Sequence, residues 1–401
     1  MEKISFGRLK KLLEVRDERA VEKKVSSIID GVRKDGDKAL ARFTKQFDGV
    51  KSVNLKVPAK ELADAGKKID REILKVIKTA EKRIRKYHAG QIPKKFAVKE
   101  KDISAEYAFS PIERAGIYIP AGQAPLVSTV LMTVIPAQVA GVKNIYVASP
   151  PSCKGKIHPL ILGVLDRLGI KDVFAVGGAQ AIAAFAYGTG TVPAVDVIAG
   201  PGNKYVNAAK RLVYGRVGID LLAGPSELVI FSDGSADADL IAADLEAQIE
   251  HTGGLGILVT TCEKEGQLLG RMVKGGYFIV TGDRKKAVEI INYVAPEHLE
   301  VMCRNPRVLA DMVIAGAIFI GDYSPATLGD YFAGPSHVLP TGRAARFSSG
   351  LSVYTFLRSH AAISAGQGFY GRYGHMIEVL PQAEGLSCHR NSIKIRRVKA
   401  R

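Results

Sequence analysis

The sequence predicts an α/β protein of two successive parallel-sheet lobes, with a helical region before them and a small domain or dimerisation arm after them. Three observations predict it. Short, β-branched apolar runs each end in Gly or Pro: GIYIP from residue 116, NIYVASP over 144–150, DVFAVGG over 172–178 and VDVIAGP over 195–201. Each is followed by 10–15 residues of helical pattern, the signature of βαβ units and a parallel sheet. The chain has 401 residues, more than one core accommodates, since cores stop growing near ~250–300 residues.

The elements follow in order. Over residues 1–110, Leu9, Leu12 and Leu13, then Val25, Ile28, Ile29 and Val32, then Leu62, Ile69, Ile73, Val76, Ile77 and Ile84, recur at three- and four-residue steps and read as mostly helical scaffold. After the first four strand runs come ELVIFSD (227–233), GILVTTC (256–262) and GYFIVTG (276–282), with helices expected at about 236–251, 263–273 and 284–293. Beyond Leu351 the composition turns to Ser, Gly, Tyr and basic residues.

Composition removes several classes of function. Apolar residues at 47% and charged residues at 24% fit a soluble globular enzyme and not a disordered chain. Cys153, Cys262, Cys303 and Cys388 are scattered, so no thiolate zinc site or disulfide framework is expected, and a reducing compartment is. From the charged N-terminal stretch no secretory signal is expected, and no apolar run reaches the ~18 residues of a membrane span. A cytoplasmic protein is expected. Net charge is +17, and residues 1–100 hold 28 Lys and Arg against 15 Asp and Glu. An anionic partner such as nucleic acid would suit that excess. Because the charges alternate with acids at helical spacing and no aromatic–basic motif or Trp accompanies them, a solvated helical surface is the expectation.

Chemistry concentrates in the C-terminal two thirds. A single G-x-G-x-x-G, Gly366 to Gly371, reads as a flexible Gly/Tyr loop and not as a dinucleotide fingerprint. In ADADLIAADLEAQIEH, Ile241, Leu245 and Gln248 share an apolar stripe, and His251 follows three residues on. A metal would satisfy a buried amide and imidazole together; a His placed at a helix C-terminus is the other reading, and both stand at this point. Glu297 and His298 follow a Pro at a loop–strand junction, a placement that suits an acid–base pair. Asp330 and His337 sit among Gly and Pro in GDYFAGPSHVLP, and Glu384 and His389 in AEGLSCH. His88, His158, His360 and His375 lack acidic company and read as structural or surface residues. Gln248, His251, Asp330 and His389 offer oxygen and nitrogen donors without thiolate, a set suited to Zn²⁺ or Mn²⁺.

Seven blocks in order over residues 110–396 then carry a resemblance. They are GIYIPAGQAPLVSTVLMTVIPAQVAG, AVGGAQAIAAFAYGTGTVPAVDVIAGPGNKYVNAAK, GIDLLAGPSELVI, DLEAQIEH, APEHLE, GDYFAGPSHVLPTGRAARFSSGLSV and AEGLSCHRNSIKIR. Together they resemble the histidinol dehydrogenases. The resemblance implies two incomplete Rossmann-like parallel-sheet lobes with a C-terminal dimerisation domain, divided as a helical arm over 1–18, a discontinuous lobe of 19–117 with 227–350, a second lobe of 118–226 and an arm of 351–401. It implies a zinc-dependent, four-electron oxidation of L-histidinol to L-histidine through L-histidinaldehyde with two NAD⁺. Zinc ligands would be Gln248, His251, Asp330 and a His389 donated across a homodimer. Glu297 and His298 would be the catalytic pair, Ser226, His337 and Glu384 further substrate contacts beside the zinc ligands, and Tyr118, Gln180 and Asn203 the NAD contacts. An alternative within the resemblance is another small amino or hydroxy alcohol as substrate; outside it, the donor set and Glu297 also allow a zinc hydrolase. Ala121 stands where a second Gly is usual, Thr252-Gly253-Gly254 where an acidic or Pro-containing stretch is common, and SAGQGFYGRYGHM where a charged helical stretch is usual, so a looser C-terminal arm is expected.

Overall fold

The structure, a computed structural model, describes residues 1–14, 19–50, 54–121, 125–251 and 253–400. Residues 15–18 of the expected N-terminal arm, and Thr252, lie outside them. The chain opens with β1 (Glu2–Lys3), α1 (Phe6–Leu12), α2 (Arg19–Asp35), α3 (Asp37–Asp48), α4 (Ala59–Lys67), α5 (Arg71–Ala89), β2 (Phe96–Glu100) and β3 (Ile103–Pro111). Strands and helices then alternate: β4 (Arg114–Tyr118), α6 (Val127–Ala140), β5 (Asn144–Ser149), α7 (Pro159–Arg167), β6 (Asp172–Ala175), α8 (Gly178–Tyr187), β7 (Val197–Ala199), α9 (Lys204–Val213) and β8 (Gly218–Ile219). The alternation resumes with β9 (Glu227–Ser232), α10 (Ala238–Glu250), β10 (Leu255–Thr260), α11 (Glu263–Met272), β11 (Tyr277–Val280), α12 (Arg284–Val294), β12 (His298–Met302), α13 (Pro306–Ala310), β13 (Ala317–Ile320) and α14 (Ala326–Tyr331). β14 (Leu357–Ala365), α15 (Gln367–Ala383) and α16 (Ser387–Lys399) close it.

Two compact units result: Met1–Gln91 with Ile112–Phe356, and Ile92–Pro111 with Leu357–Arg401. The first contains two wholly parallel sheets, as the βαβ pattern predicts. One runs β6-β5-β4-β7-β8, the other β1-β11-β10-β9-β12-β13. Both reverse their winding beside a central strand, β4 in one and β9 in the other. Every residue of β9 and β12 is buried, which explains why these strands read as apolar runs without alternation. The sequence placed 19–117 with 227–350, but the helices α2–α5 pack on the other sheet. Val25, Ile29 and Leu40 join Phe174, Ile182 and Phe185 in one core, and Leu62, Ile77 and Ile84 join Ile117, Val130 and Leu165 in another. The physical reason is contiguity: their apolar stripes meet the first βαβ units that follow them in the chain.

The second unit is a three-stranded antiparallel sheet, β14-β3-β2, with α15 and α16. The helical pattern over 1–110 therefore ends at α5, and 96–111 is strand. The Gly/Tyr segment is also not a loop. β14 leads into Gly366, which precedes the first turn of α15. Its glycines serve close packing: a Cβ on Gly374 would press into the Arg397 side chain of α16, and Arg397 Nε donates to Glu378 Oε1 at 2.7 Å. Among the described residues no helix is long and apolar enough to cross a membrane.

One backbone position fixes the carboxyl end of the five-stranded sheet. Gly200, immediately after β7, has φ +121°, and a Cβ there would overlap the Tyr118 carbonyl oxygen of β4. Only glycine suits such a site. Gly200→Ala is expected to lower stability by about 2 kcal/mol or more in chemical denaturation; a variant as stable as the parent would show that the two strands separate freely there.

Candidate active site

The parallel register of β12 against β9 places His298 opposite Leu228, and the preceding residues Glu297 and Glu227 side by side. The backbone N–H of Glu227 donates to Glu297 Oε2 at 3.2 Å. Ser226, one residue before β9, hydrogen-bonds the Glu297 carboxyl and accepts from Gln248 Nε2 at 3.1 Å. Gln248 is in the last turn of α10 and buried, as its place on the apolar stripe predicts. His298 Nδ1 lies 3.5 Å from Glu297 Oε2 and its Nε2 3.7 Å from Asp330 Oδ1 of α14. The Asp330 carbonyl accepts from His337 Nδ1 at 3.0 Å. With that nitrogen the donor, His337 Nε2 accepts the Thr129 hydroxyl of α6 at 3.3 Å. Ser226, Gln248, Glu297, His298, Asp330 and His337 are thereby brought together at the amino ends of β9 and β12.

One expectation needs correction. His251 does not sit buried on the α10 stripe. It is the C-cap residue, with extended backbone, and is exposed. The helix has ended, so three-residue spacing no longer keeps it on that face. It stays close enough to disfavour protonation of His298 and His337. Glu384 and His389 belong to the second unit, where both are exposed on the α15–α16 connection and the first turn of α16. Within the first unit the expected metal donors are thus an amide, an imidazole and a carboxylate. No group of three or more His, Cys, Asp or Glu side chains is arranged for a metal among the described residues. These donors carry hard oxygen and imidazole nitrogen, and none of the four cysteines is among them, a chemistry that fits zinc.

Burial sets the charge of the pair. Glu297 is 8% exposed and His298 5%. Burial pushes the Glu297 carboxyl up to about 8; the Ser226 hydroxyl and Glu227 N–H pull it down, and Glu227 and Asp330 push it further up. Burial also holds His298 below the ordinary imidazole range, against the attraction of Asp330. Near neutrality the site therefore presents a neutral imidazole beside a largely protonated carboxyl. His298 Nδ1 is buried without a hydrogen-bond partner among the described residues, which leaves an acceptor or donor position for a ligand.

Two further buried acids escaped the sequence reading. Burial drives Glu227 up to about 7, and its Oε1 accepts from Gly342 N–H at 3.2 Å. Glu300, in the middle of β12, is also pushed up by burial and accepts from Ala326 N–H at 2.6 Å, holding the start of the helix that carries Asp330. The available signal was an acid inside an otherwise apolar strand, as in ELVIFS and HLEVM.

The residues expected at NAD gather elsewhere, at the carboxyl edge of the five-stranded sheet where its winding reverses, the usual nucleotide position in such sheets. Tyr118 ends β4 and its hydroxyl accepts from Gly178 N–H at 3.1 Å; burial pushes its pKa up to about 12. Gln180, in the first turn of α8, has a buried Oε1 without a partner among the described residues. Asn203 caps α9, accepting from Tyr205 and Val206 N–H at 3.0 and 3.2 Å. Two helix N-termini thus face this edge, a setting that favours phosphate.

Comparison with known proteins identifies the lineage. The family model described as histidinol dehydrogenase matches residues 13–274 and 258–397. The chain belongs to the histidinol dehydrogenase family. It is 43% identical over 400 residues to a histidinol dehydrogenase of Synechococcus sp., covering 94% of this chain and 92% of that one. Against the histidinol dehydrogenase of Oceanobacillus iheyensis it is 41% identical over 398 residues, covering 94% and 93%. The crystal structure of histidinol dehydrogenase from Elizabethkingia anophelis superposes with a TM-score of 0.91 at 33% identity, covering 99% and 97%. The α/β fold of parallel sheets expected from sequence accords with that of this family.

The raised carboxyl has a measurable consequence. A group with a native pKa of about 8 against an ordinary 4.5 keeps a proton that the unfolded chain has released. Stability then falls as pH rises between those values and levels off above. The lowered histidines act in the opposite sense, but only below their ordinary 6.5. In chelator, denaturant midpoints should fall between about pH 6.5 and 8.5, and Glu297→Gln should make that fall shallower; parallel curves for parent and variant would show that Glu297 ionises normally.

Proposed function

We propose that the protein oxidises L-histidinol to L-histidine through L-histidinaldehyde, reducing two NAD⁺ in turn, as the last steps of histidine biosynthesis in the cytoplasm. The observation that carries this reading is the Glu297–His298 pair at the start of β12, packed with Ser226, Gln248, Asp330 and His337 in a chain of this family. Gln248, His251 and Asp330, with His389 of the partner subunit in a homodimer, would hold one zinc ion per subunit, whose chemistry would be to orient the imidazole and amino nitrogens of the substrate. NAD⁺, at Tyr118, Gln180 and Asn203, supplies the hydride acceptor.

The residues of the chain divide the proton work. His298 is a free base at neutral pH because burial disfavours its cation, so it takes the substrate hydroxyl proton as hydride leaves the carbon. Asp330, 3.7 Å away, stabilises the imidazolium that forms. Glu297 takes the proton of the water that adds to the aldehyde. Glu384 accepts a hydrogen bond from the substrate amino group or its hydrogen-bonding network.

Glu297→Gln should slow aldehyde oxidation about 10²-fold or more while slowing alcohol oxidation less, in single-step assays with each substrate; equal losses would remove the water-activating role. His389→Ala should lose zinc and activity together. In verified heterodimers of His389→Ala with Glu297→Gln, one of the two sites recovers a complete set, so activity should return; none would show that the arm does not cross between subunits. Simple diols should support no comparable NADH formation, and oxidation of them as fast as L-histidinol would reassign the substrate.

A further inference from the structure

A buried ion pair stands behind the proposed cofactor edge and takes no part in the chemistry above. Lys210 of α9 pairs with Asp220, just after β8, and both side chains are 0% exposed. The pair grips one residue from both sides. Lys210 Nζ donates to the Gly200 carbonyl at 2.9 Å, and Gly200 N–H donates to Asp220 Oδ2 at 2.7 Å. Asp220 Oδ1 also accepts from Leu221 N–H at 2.6 Å. Asn207, one turn before Lys210, donates to the Gly202 carbonyl at 2.9 Å and accepts from Ala223 N–H at 3.2 Å. The turn Gly200–Asn203 is thus held at its first and third residues by side chains that also hold 220–223, three residues short of Ser226.

Stability alone does not account for this arrangement. A buried ion pair is often matched or bettered by apolar groups of similar volume, because desolvating two charges consumes most of their attraction. What the pair supplies, and apolar groups would not, is a fixed direction for both the N–H and the carbonyl of Gly200. We propose that Lys210, Asp220 and Asn207 are positioning residues that hold the Gly200–Asn203 turn in its NAD-binding form. The proposal rests on the reading of that edge as the NAD site. It assigns these residues to nucleotide affinity and not to proton transfer.

The test is Lys210→Met combined with Asp220→Asn, which removes both charges and keeps an acceptor for Gly200 N–H. NAD⁺ binding is followed by saturation-transfer NMR and by KM at saturating L-histidinol, and folding by thermal unfolding. The expected result is a folded enzyme whose KM for NAD⁺ rises about tenfold or more, equivalent to about 1.4 kcal/mol, with kcat within about threefold and L-histidinol affinity unchanged. A merely structural pair would lower the active fraction and leave the KM for NAD⁺ alone. A folded double variant with the parental KM and NMR signal would overturn the clamp. If the double variant does not fold, Asn207→Ala carries the same expectation, and a parental KM there overturns it too. A parent protein with neither NAD⁺ signal nor NADH formation would instead bring down the cofactor reading, and the clamp with it.

Discussion

The site depends on the pairing of β12 with β9 in one register. Leu299 and Val301 face the same core as Val229 and Phe231, while Met302 joins Leu228 and Ile230 in the core on the opposite face. His298 and Glu300 alternate with the first set and so point toward α10 and α14, where Gln248 and Asp330 wait. Strand side chains alternate with a period of two, so a slip of one residue would send His298 into the other core and Glu297 away from Glu227 N–H. The apolar residues of these strands therefore fix the chemistry even though they take no part in it. Their burial makes the register strongly preferred, and the register places the acid and the base.

The same burial sets the proton affinities. Three carboxyls, Glu227, Glu297 and Glu300, are enclosed in a small region at the head of and along β9 and β12. Burying three anions together would be prohibitive, and burial raises the proton affinity of all three, which are hydrogen-bonded to backbone N–H groups of Gly342, Glu227 and Ala326. Burial likewise disfavours the imidazolium form of His298. A neutral imidazole therefore sits beside a carboxyl that burial holds above its ordinary range.

Much of this was legible in the sequence. Seven βαβ strand runs and three helices of the second lobe were found within a few residues, because parallel strands covered on both faces leave unbroken apolar runs. Glu297, His298, Asp330 and His337 were found because titratable residues among Gly and Pro stand out. What stayed hidden depends on partners far along the chain. β2 is exposed throughout and lies in the region that reads as helical scaffold; it becomes a strand by pairing with β3, which pairs in turn with β14 some 250 positions later. The glycines of α15 read as flexibility until Arg397 is seen packed over Gly374. His251 looked buried because spacing on a helix says nothing about where the helix stops.

The second unit carries the remaining physical argument. α16 has no buried residue, and β14 is exposed along nearly all its length. Phe96, Val98, Ile363, Met376, Val379, Leu380, Ile395 and Val398 are all exposed large apolar side chains of this one small unit. A soluble surface rarely leaves so many together uncovered, and a helix gains most of its stability from packing an apolar face. A second copy laid over these residues would remove them from water, which is the independent physical support for the proposed homodimer. Because Glu384 and His389 stand at the junction of the two helices that bear much of this surface, whatever covers it also decides where those two side chains are held. In the proposed enzyme, assembly and completion of the site would then be one event: the apolar area buried between subunits would supply the free energy that fixes an otherwise exposed imidazole as a ligand.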